Sequence, residues 1–251
     1  MKFRLFLSAL GCLFFSLVSP AAQASTVSVA VASNFTQPMR AIARAFHQAT
    51  GNQTRLAFGS SGNFYAQIKN GAPFQVFLSA DAAKPRKLEQ AGLTVKGSRF
   101  TYAIGGLVLW SSRPDFVKDG ASTLRHAHFN KLGIANPKLA PYGSAAVQVL
   151  QHLHLYHRLT QKFVMGENIA QTYQFVMSGN ADLGFVAQSQ VTRHGKITQG
   201  SGWIVPANLH KPIRQDAVLL LPGKHDPAAL ALLRFLKGAR AHTIMQSYGY
   251  H

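Results

Sequence analysis

Apolar positions along this chain alternate between two periods. Thr26–Ala32 (TVSVAVA) is a short apolar, β-branched run. In the segment that follows, Asn34–Thr50, residues Phe35, Met39, Ile42, Ala43 and Phe46 share one helical face. Pro38 falls in the first turn, where proline is tolerated, and Gly51 stands where a helix ends. The unit then repeats: a strand at Thr54–Phe58, a turn at Gly59-Ser60-Ser61-Gly62, a helix at Asn63–Lys69. A third strand is predicted at Phe74–Leu78 and a third helix at Ala82–Gln90. Strand and helix alternating with short loops predict parallel sheet covered by helices.

The same grammar restarts in the middle of the chain. Thr101–Ser111 (TYAIGGLVLWS) reads as a long strand interrupted by Gly105-Gly106. Strands at Leu132–Ala135, Phe163–Met165 and Leu183–Ala187 alternate with helices at Ser144–Tyr156 and Ala170–Met177. Arg214–Leu221 is a second long strand, and Pro227–Lys237 a helix. Two long strands bracketing a central α/β block predict a second lobe inserted into the first. The chain would cross near Gly105-Gly106 and near Pro212, so 25–105 with 212–251 forms one lobe and 106–211 the other. The predicted class is α/β, two lobes of mostly parallel sheet flanked by helices, with a closing cleft between them.

Residues 1–24 read as a cleavable export signal. Lys2 and Arg4 precede an apolar stretch, Leu5–Val18, and Ala22-Gln23-Ala24 supplies small residues for cleavage. That stretch would span about 21 Å as a helix, short of the roughly 30 Å of a bilayer core. The only cysteine of the chain, Cys12, lies within it, which excludes a disulfide framework from the remainder. Export in turn changes how the charge is read. The chain carries 26 Lys+Arg against 8 Asp+Glu, a net charge of +18. Nucleic acid is the usual partner of so basic a chain, but the cations are scattered and no nucleic-acid motif occurs. A solvated basic surface, or a field that draws in anions, remains.

Catalytic motifs are missing from the sequence: no G-x-S-x-G elbow, no H-E-x-x-H, no Walker loop and no G-x-G-x-x-G after a strand. His152, His154 and His157 form the one metal-like group, without acidic or cysteine partners nearby, and a surface helix end explains them as well. What remains is a set of hydroxyl and amide residues at strand-to-helix junctions, Ser33-Asn34 and Ser60-Ser61-Gly62. Such residues are preferred helix caps. The same junctions lie at the carboxyl ends of parallel strands, where ligands bind, and helix N-termini favour anions. Two of them in an exported two-lobed chain favour a binding protein over an enzyme.

Three strings carry a family resemblance: VAVASNFTQPM (Val29–Met39), FGSSGNFYAQIKNGAPFQVFLSAD (Phe58–Asp81) and ANPKLAPYG (Ala135–Gly143). Together with Gly166–Ile169, Gly184–Ala187 and Tyr248–Tyr250 they resemble the ModA-type molybdate-binding receptors of ABC transporters. The resemblance implies a type II periplasmic binding-protein fold and a periplasmic, monomeric receptor. Such a receptor takes molybdate or tungstate to a membrane permease, with no cofactor, no cationic metal ligands and no nucleic acid. Another tetrahedral oxyanion, sulfate or phosphate, is the alternative. The family's oxyanion contacts fall on Ser33, Asn34, Ser61, Tyr142 and Ile169, with Ser60 beside them. Two departures stand out. Ala187 occupies a place where some members carry a tyrosine, so the Tyr142 hydroxyl is expected to reach the ion in its stead. Gln75 stands where many members carry an aspartate.

Overall fold

Val27, Val29, Ala30, Val31 and Ala32 are buried, so the first strand of the computed structural model, β1 (Thr26–Ala32), is covered on both faces. The structure describes residues 25–251, and the expected export signal lies outside the described residues. A 3-10 turn at Ser33–Phe35 leads from β1 straight into α1 (Thr36–Thr50), which ends on Gly51 at φ 72°. The chain continues through β2 (Gln53–Gly59), α2 (Ser61–Lys69), β3 (Val76–Leu78), α3 (Ala83–Gln90) and β4 (Phe100–Gly105). Next come β5 (Leu107–Ser111), α4 (Gly120–His126), β6 (Leu132–Ala135), α5 (Pro141–His152) and α6 (Tyr156–Leu159). Then follow β7 (Phe163–Gly166), α7 (Ile169–Met177), β8 (Leu183–Ala187), α8 (Gln188–Val191), β9 (Thr192–Arg193), β10 (Lys196–Ile197) and β11 (Ser201–Ile204). The last elements are β12 (Ile213–Leu219), α9 (Pro227–Leu236) and α10 (Ala239–Ser247).

The strands form two five-stranded sheets, ordered β2-β1-β3-β12-β4 and β11-β5-β8-β6-β7, besides the small β9–β10 ribbon. Each sheet is evenly mixed rather than mostly parallel. In the first, β1 runs parallel to β2 and β3, whereas β12 lies antiparallel to β3 and β4. In the second, β6 is parallel to β7 and β8, whereas β5 is antiparallel to β8 and β11. The antiparallel pairings come from the strands flanking the two crossings, β4, β5, β11 and β12, which do not follow the βαβ path that enforces parallel pairing.

The apolar run Thr101–Ser111, expected as one strand, is therefore two strands in different sheets, with Gly106 between them. Neither crossing glycine has a positive φ; Gly105 is closely approached by buried side chains, whereas the nearest neighbour of Gly106 is the end of the Gln188 side chain, which can move aside. A Cβ on Gly105 would lie 2.1 Å from the Tyr142 hydroxyl, and one on Gly106 2.0 Å from Gln188 Oε1. The chain returns to the first sheet through 205–212. Phe35, Met39, Ile42 and Phe46 pack one face of the first sheet together with Leu232 and Leu236 of α9. Each such side chain contributes about 1.5–3 kcal/mol on full burial. The second sheet buries Leu107, Leu109, Ile134, Val149 and Phe185 in its own cluster.

The helix expected at Ser144–Tyr156 starts at Pro141 and ends at His152. Proline suits a first turn, and His154 at φ 59° turns the chain out of the helix. Among the described residues no group of three His, Cys, Asp or Glu side chains is placed to hold a metal ion.

Candidate functional site

Four helix starts meet at the carboxyl ends of parallel strands. The Ser33–Phe35 turn follows β1, α2 follows β2, α5 follows β6, and α7 follows β7. The first two belong to one sheet and the last two to the other. Between them lies a cavity of about 10 Å³ lined by Ser33, Asn34, Ser60, Ser61, Tyr142 and Ile169, among others. All five sequence-derived site positions, and Ser60, are thus brought together. No Lys, Arg, Asp or Glu side chain lines the cavity among the described residues.

The polar groups there are donors in excess. Ser60 Oγ accepts the Asn63 N–H at 3.2 Å as the cap of α2, and Ser61 Oγ accepts the Ala80 N–H at 2.9 Å. Both hydroxyl protons therefore remain free to donate. The amides of Ser61, Tyr142 and Ile169 occupy first turns, where no intrahelical acceptor exists. Asn168 caps α7 by accepting from the amides of Ala170 and Gln171, and its Oδ1 also accepts from the Ser33 hydroxyl at 3.1 Å. That carbonyl is saturated. Helix N-termini add partial positive charge without a titrating group.

The two sides of the cavity are also tied together at its rim. The Gly62 N–H donates to Leu139 O at 2.9 Å, and the Asn63 carboxamide donates to Glu167. With the Ser33–Asn168 bond, these contacts hold the cleft shut.

Two side chains at the cavity are already engaged within the protein. Both Nδ2 protons of Asn34 are engaged, with Gln215 Oε1 at 2.8 Å and with the Tyr250 hydroxyl at 2.9 Å, so its carboxamide is no free donor. The Tyr142 hydroxyl, expected on the ion, instead accepts from Gln215 Nε2 at 3.2 Å. Pro141 opens α5 and Tyr142 follows it, so the phenol extends beneath the cavity to the crossing at Gly105. Its amide, in the first turn of α5, is left at the cavity. Burial, then the neighbouring Tyr250, pushes the Tyr142 phenol well above its ordinary pKa; burial does the same for Tyr102 and raises Tyr250. All three are neutral hydroxyls at physiological pH.

Asn168, Gln215, Ser189 and Tyr250 were not singled out for the site by the sequence reading. Of these only Asn168 carries a local signal, an asparagine directly before an apolar helical stretch. The Gln75 departure has a structural explanation away from the cavity. Its Oε1 accepts the Ser28 N–H at 2.8 Å while its Nε2 donates to Asp226, a pair of roles that a carboxylate could not fill. Ala187 is fully buried and leaves no hydroxyl on that wall.

The family described as bacterial extracellular solute-binding protein matches residues 27–251. The molybdate-binding protein ModA of Azotobacter vinelandii is 56% identical over 234 residues, 93% of each chain. ModA of Rhodobacter capsulatus is 51% identical over 95% of this chain and 92% of its own. A solved structure of an Azotobacter vinelandii periplasmic molybdate-binding protein superposes with a TM-score of 0.87 at 41% identity, covering 90% of this chain and 98% of that one. With two sheets, a shared cleft and these relatives, the chain belongs to the bacterial extracellular solute-binding proteins, within their ModA family.

Proposed function

We propose that this chain is a periplasmic receptor that captures molybdate, and also tungstate, and delivers it as a monomer to an ABC permease. The lobes that close on the ion are 25–105 with 212–251, and 106–211. One observation carries the reading. A small cavity is surrounded by first-turn amides and serine hydroxyls with protons to give, and no charged side chain lines it. A fully deprotonated tetrahedral dianion only accepts hydrogen bonds, so such a shell leaves no buried acceptor unmatched. Its charge is offset by four helix N-termini rather than by a lysine or arginine. Ser33, Asn34, Ser61, Tyr142 and Ile169 are the contact positions; Ser61 acts through its hydroxyl and Asn34, Tyr142 and Ile169 through backbone amides, while the Ser33 hydroxyl would have to exchange its bond to Asn168 for one to the ion. The relatives are binding proteins, and no hydrolytic or transfer chemistry is assigned to this chain.

Phosphate retains a proton at neutral pH and needs an acceptor that this shell does not offer, so it is rejected. Sulfate matches molybdate in charge and shape but is smaller, so selectivity against it would come from the fit of the shell around the larger ion. Calorimetry with molybdate, tungstate, sulfate and phosphate tests the proposal. Tight binding of the first two and weak binding of the last two is expected. Sulfate binding as tightly as molybdate, or no heat with any of the four, overturns it.

A further inference from the structure

Beneath the cavity lies a buried polar cluster that the donor shell does not account for. Gln215 is fully buried in β12, at the point where its register with β4 slips. Residue 215 pairs with Ala103 and residue 216 with Thr101, so Tyr102 is the bulged residue opposite. The bulge brings the Tyr102 hydroxyl to 3.0 Å from Gln215 Oε1, which also accepts from Asn34 Nδ2. At its other end Gln215 Nε2 donates to the Tyr142 hydroxyl. Asn34 follows a strand of the first sheet and Tyr142 a strand of the second. One carboxamide therefore holds a cavity residue from each side, next to the Gly105 crossing.

The orientation of that carboxamide is fixed by its neighbours. Asn34 Nδ2 only donates, so Oε1 must face it, which turns Nε2 to Tyr142. The Gly105 crossing passes so close that a Cβ there would sit 2.5 Å from Gln215 Nε2. Further ties gather on the same cluster. Ser189 Oγ donates to Asn34 O at 2.7 Å, and the Tyr250 hydroxyl lies 3.1 Å from Ser189 Oγ.

We infer that Gln215 is a positioning residue that latches the two lobes shut over the bound oxyanion through the Asn34–Gln215–Tyr142 bridge. This rests on the oxyanion reading above, and assigns to Gln215 a role in retention of the ion rather than contact with it. A latch formed within the closed state slows release and leaves encounter unaffected.

The test compares the parent chain with Gln215→Met, Tyr142→Phe and the double variant. Molybdate release and association are followed by stopped-flow fluorescence of Trp110 and Trp203. Faster release by about fivefold to tenfold is expected in each single variant, the scale of one buried hydrogen bond. Association should change by less than about twofold, since most interface changes act on release. The double variant should be no worse than Gln215→Met, because both remove the same bridge. Release at the parent rate in a variant that still melts cooperatively overturns the latch, and should Gln215→Met not fold, Tyr142→Phe alone decides. Hydrogen exchange of the Gly62 amide without ligand is a second readout, since its acceptor Leu139 O lies across the cleft. Faster exchange in the variants supports the latch, and unchanged exchange overturns it. The parent's own molybdate isotherm reports separately on the oxyanion reading.

Discussion

Ser61 serves both the fold and the cavity through a single oxygen. It accepts the Ala80 N–H, which ties the start of α2 to the segment after β3, and its proton remains for a ligand. Replacing it by alanine therefore has two consequences, where a free cleft hydroxyl would have one. Ser61→Ala removes a donor to a charged acceptor and is expected to weaken molybdate binding by about 1.5–3 kcal/mol. It also leaves the buried Ala80 N–H without its acceptor, lowering the stability of the ligand-free protein by about 1–3 kcal/mol. Calorimetry and thermal unfolding of the same preparation measure both. Lower stability with unchanged affinity would make Ser61 a purely structural residue. Ser60 differs in kind, because its bond to Asn63 N is an ordinary helix cap.

The elements around the cavity fit each other at backbone distance. A Cβ on Gly62 would lie 2.9 Å from Leu139 Cα and 3.0 Å from its carbonyl oxygen, atoms that cannot swing aside. Gly62→Ala is expected to cost the closed form about 1–3 kcal/mol by overpacking. The open form gains slightly, since alanine is the better helix former. Weaker molybdate binding with an unchanged or higher melting temperature of the free protein is the predicted pattern. Unchanged affinity would show that the rim need not close this far. A second element contact depends on pH. Burial disfavours the charged form of Asp182, but the amides of Lys131 and Asn130 at 2.9 and 2.8 Å, with Arg113, hold its carboxyl below its ordinary pKa. A depressed folded pKa stabilises the protein above the unfolded value of about 3.9 and loses that contribution as pH falls through the folded one. Asp182→Asn should lower stability by about 1–2 kcal/mol at pH 7, with the gap closing below about pH 4 in urea titrations. Elements buried on both faces were the legible ones: β1, β6 and β8 have the bounds their apolar runs predict. The edge strand β11 (SGWI) and α10, which buries only Ala241 and Met245, show no periodic signal strong enough to read. One side of the cavity was legible because the junctions after β1 and β2 carry serine and asparagine at a strand-to-helix turn, whereas Tyr142 and Ile169 on the other side came from the family resemblance alone. The cluster beneath the cavity was not legible, since Asn34 and Gln215 stand 181 residues apart and only the fold joins them.

At the scale of the whole molecule, the unusual quantity is the net charge of +18, and the cavity uses none of it directly. Four cations nevertheless gather on one flank of the cleft. Lys84, Arg86, Lys211 and Arg214 line a groove whose inner residues, Ala80 and Pro141, also line the cavity. Lys84 is paired with Asp81 at 2.6 Å, whereas Arg86, Lys211 and Arg214 take part in none of the ion pairs among the described residues. On the opposite flank Arg193 donates to the carbonyls of Ser189 and Thr192 and lies over the Tyr248 ring, so its head group is already engaged. Those neutral partners orient the Arg193 head group but leave its charge in place, so three cations unpaired among the described residues on the groove flank face one on the other, and the field is stronger on the groove side. A concave, positively charged surface concentrates anions and raises their association rate, with little effect on how tightly the closed shell holds them. Lys211→Gln with Arg214→Gln should slow molybdate association by about threefold to tenfold at low salt, with release and the preference over sulfate unchanged. The difference should fade towards physiological ionic strength, where screening acts over about 8 Å. Lys69→Gln with Lys196→Gln removes the same charge from exposed positions outside the groove and is expected to slow association far less. Equal slowing by both pairs would assign steering to the overall charge rather than to the groove. A loss of selectivity in the first pair would place a cation within reach of the bound ion.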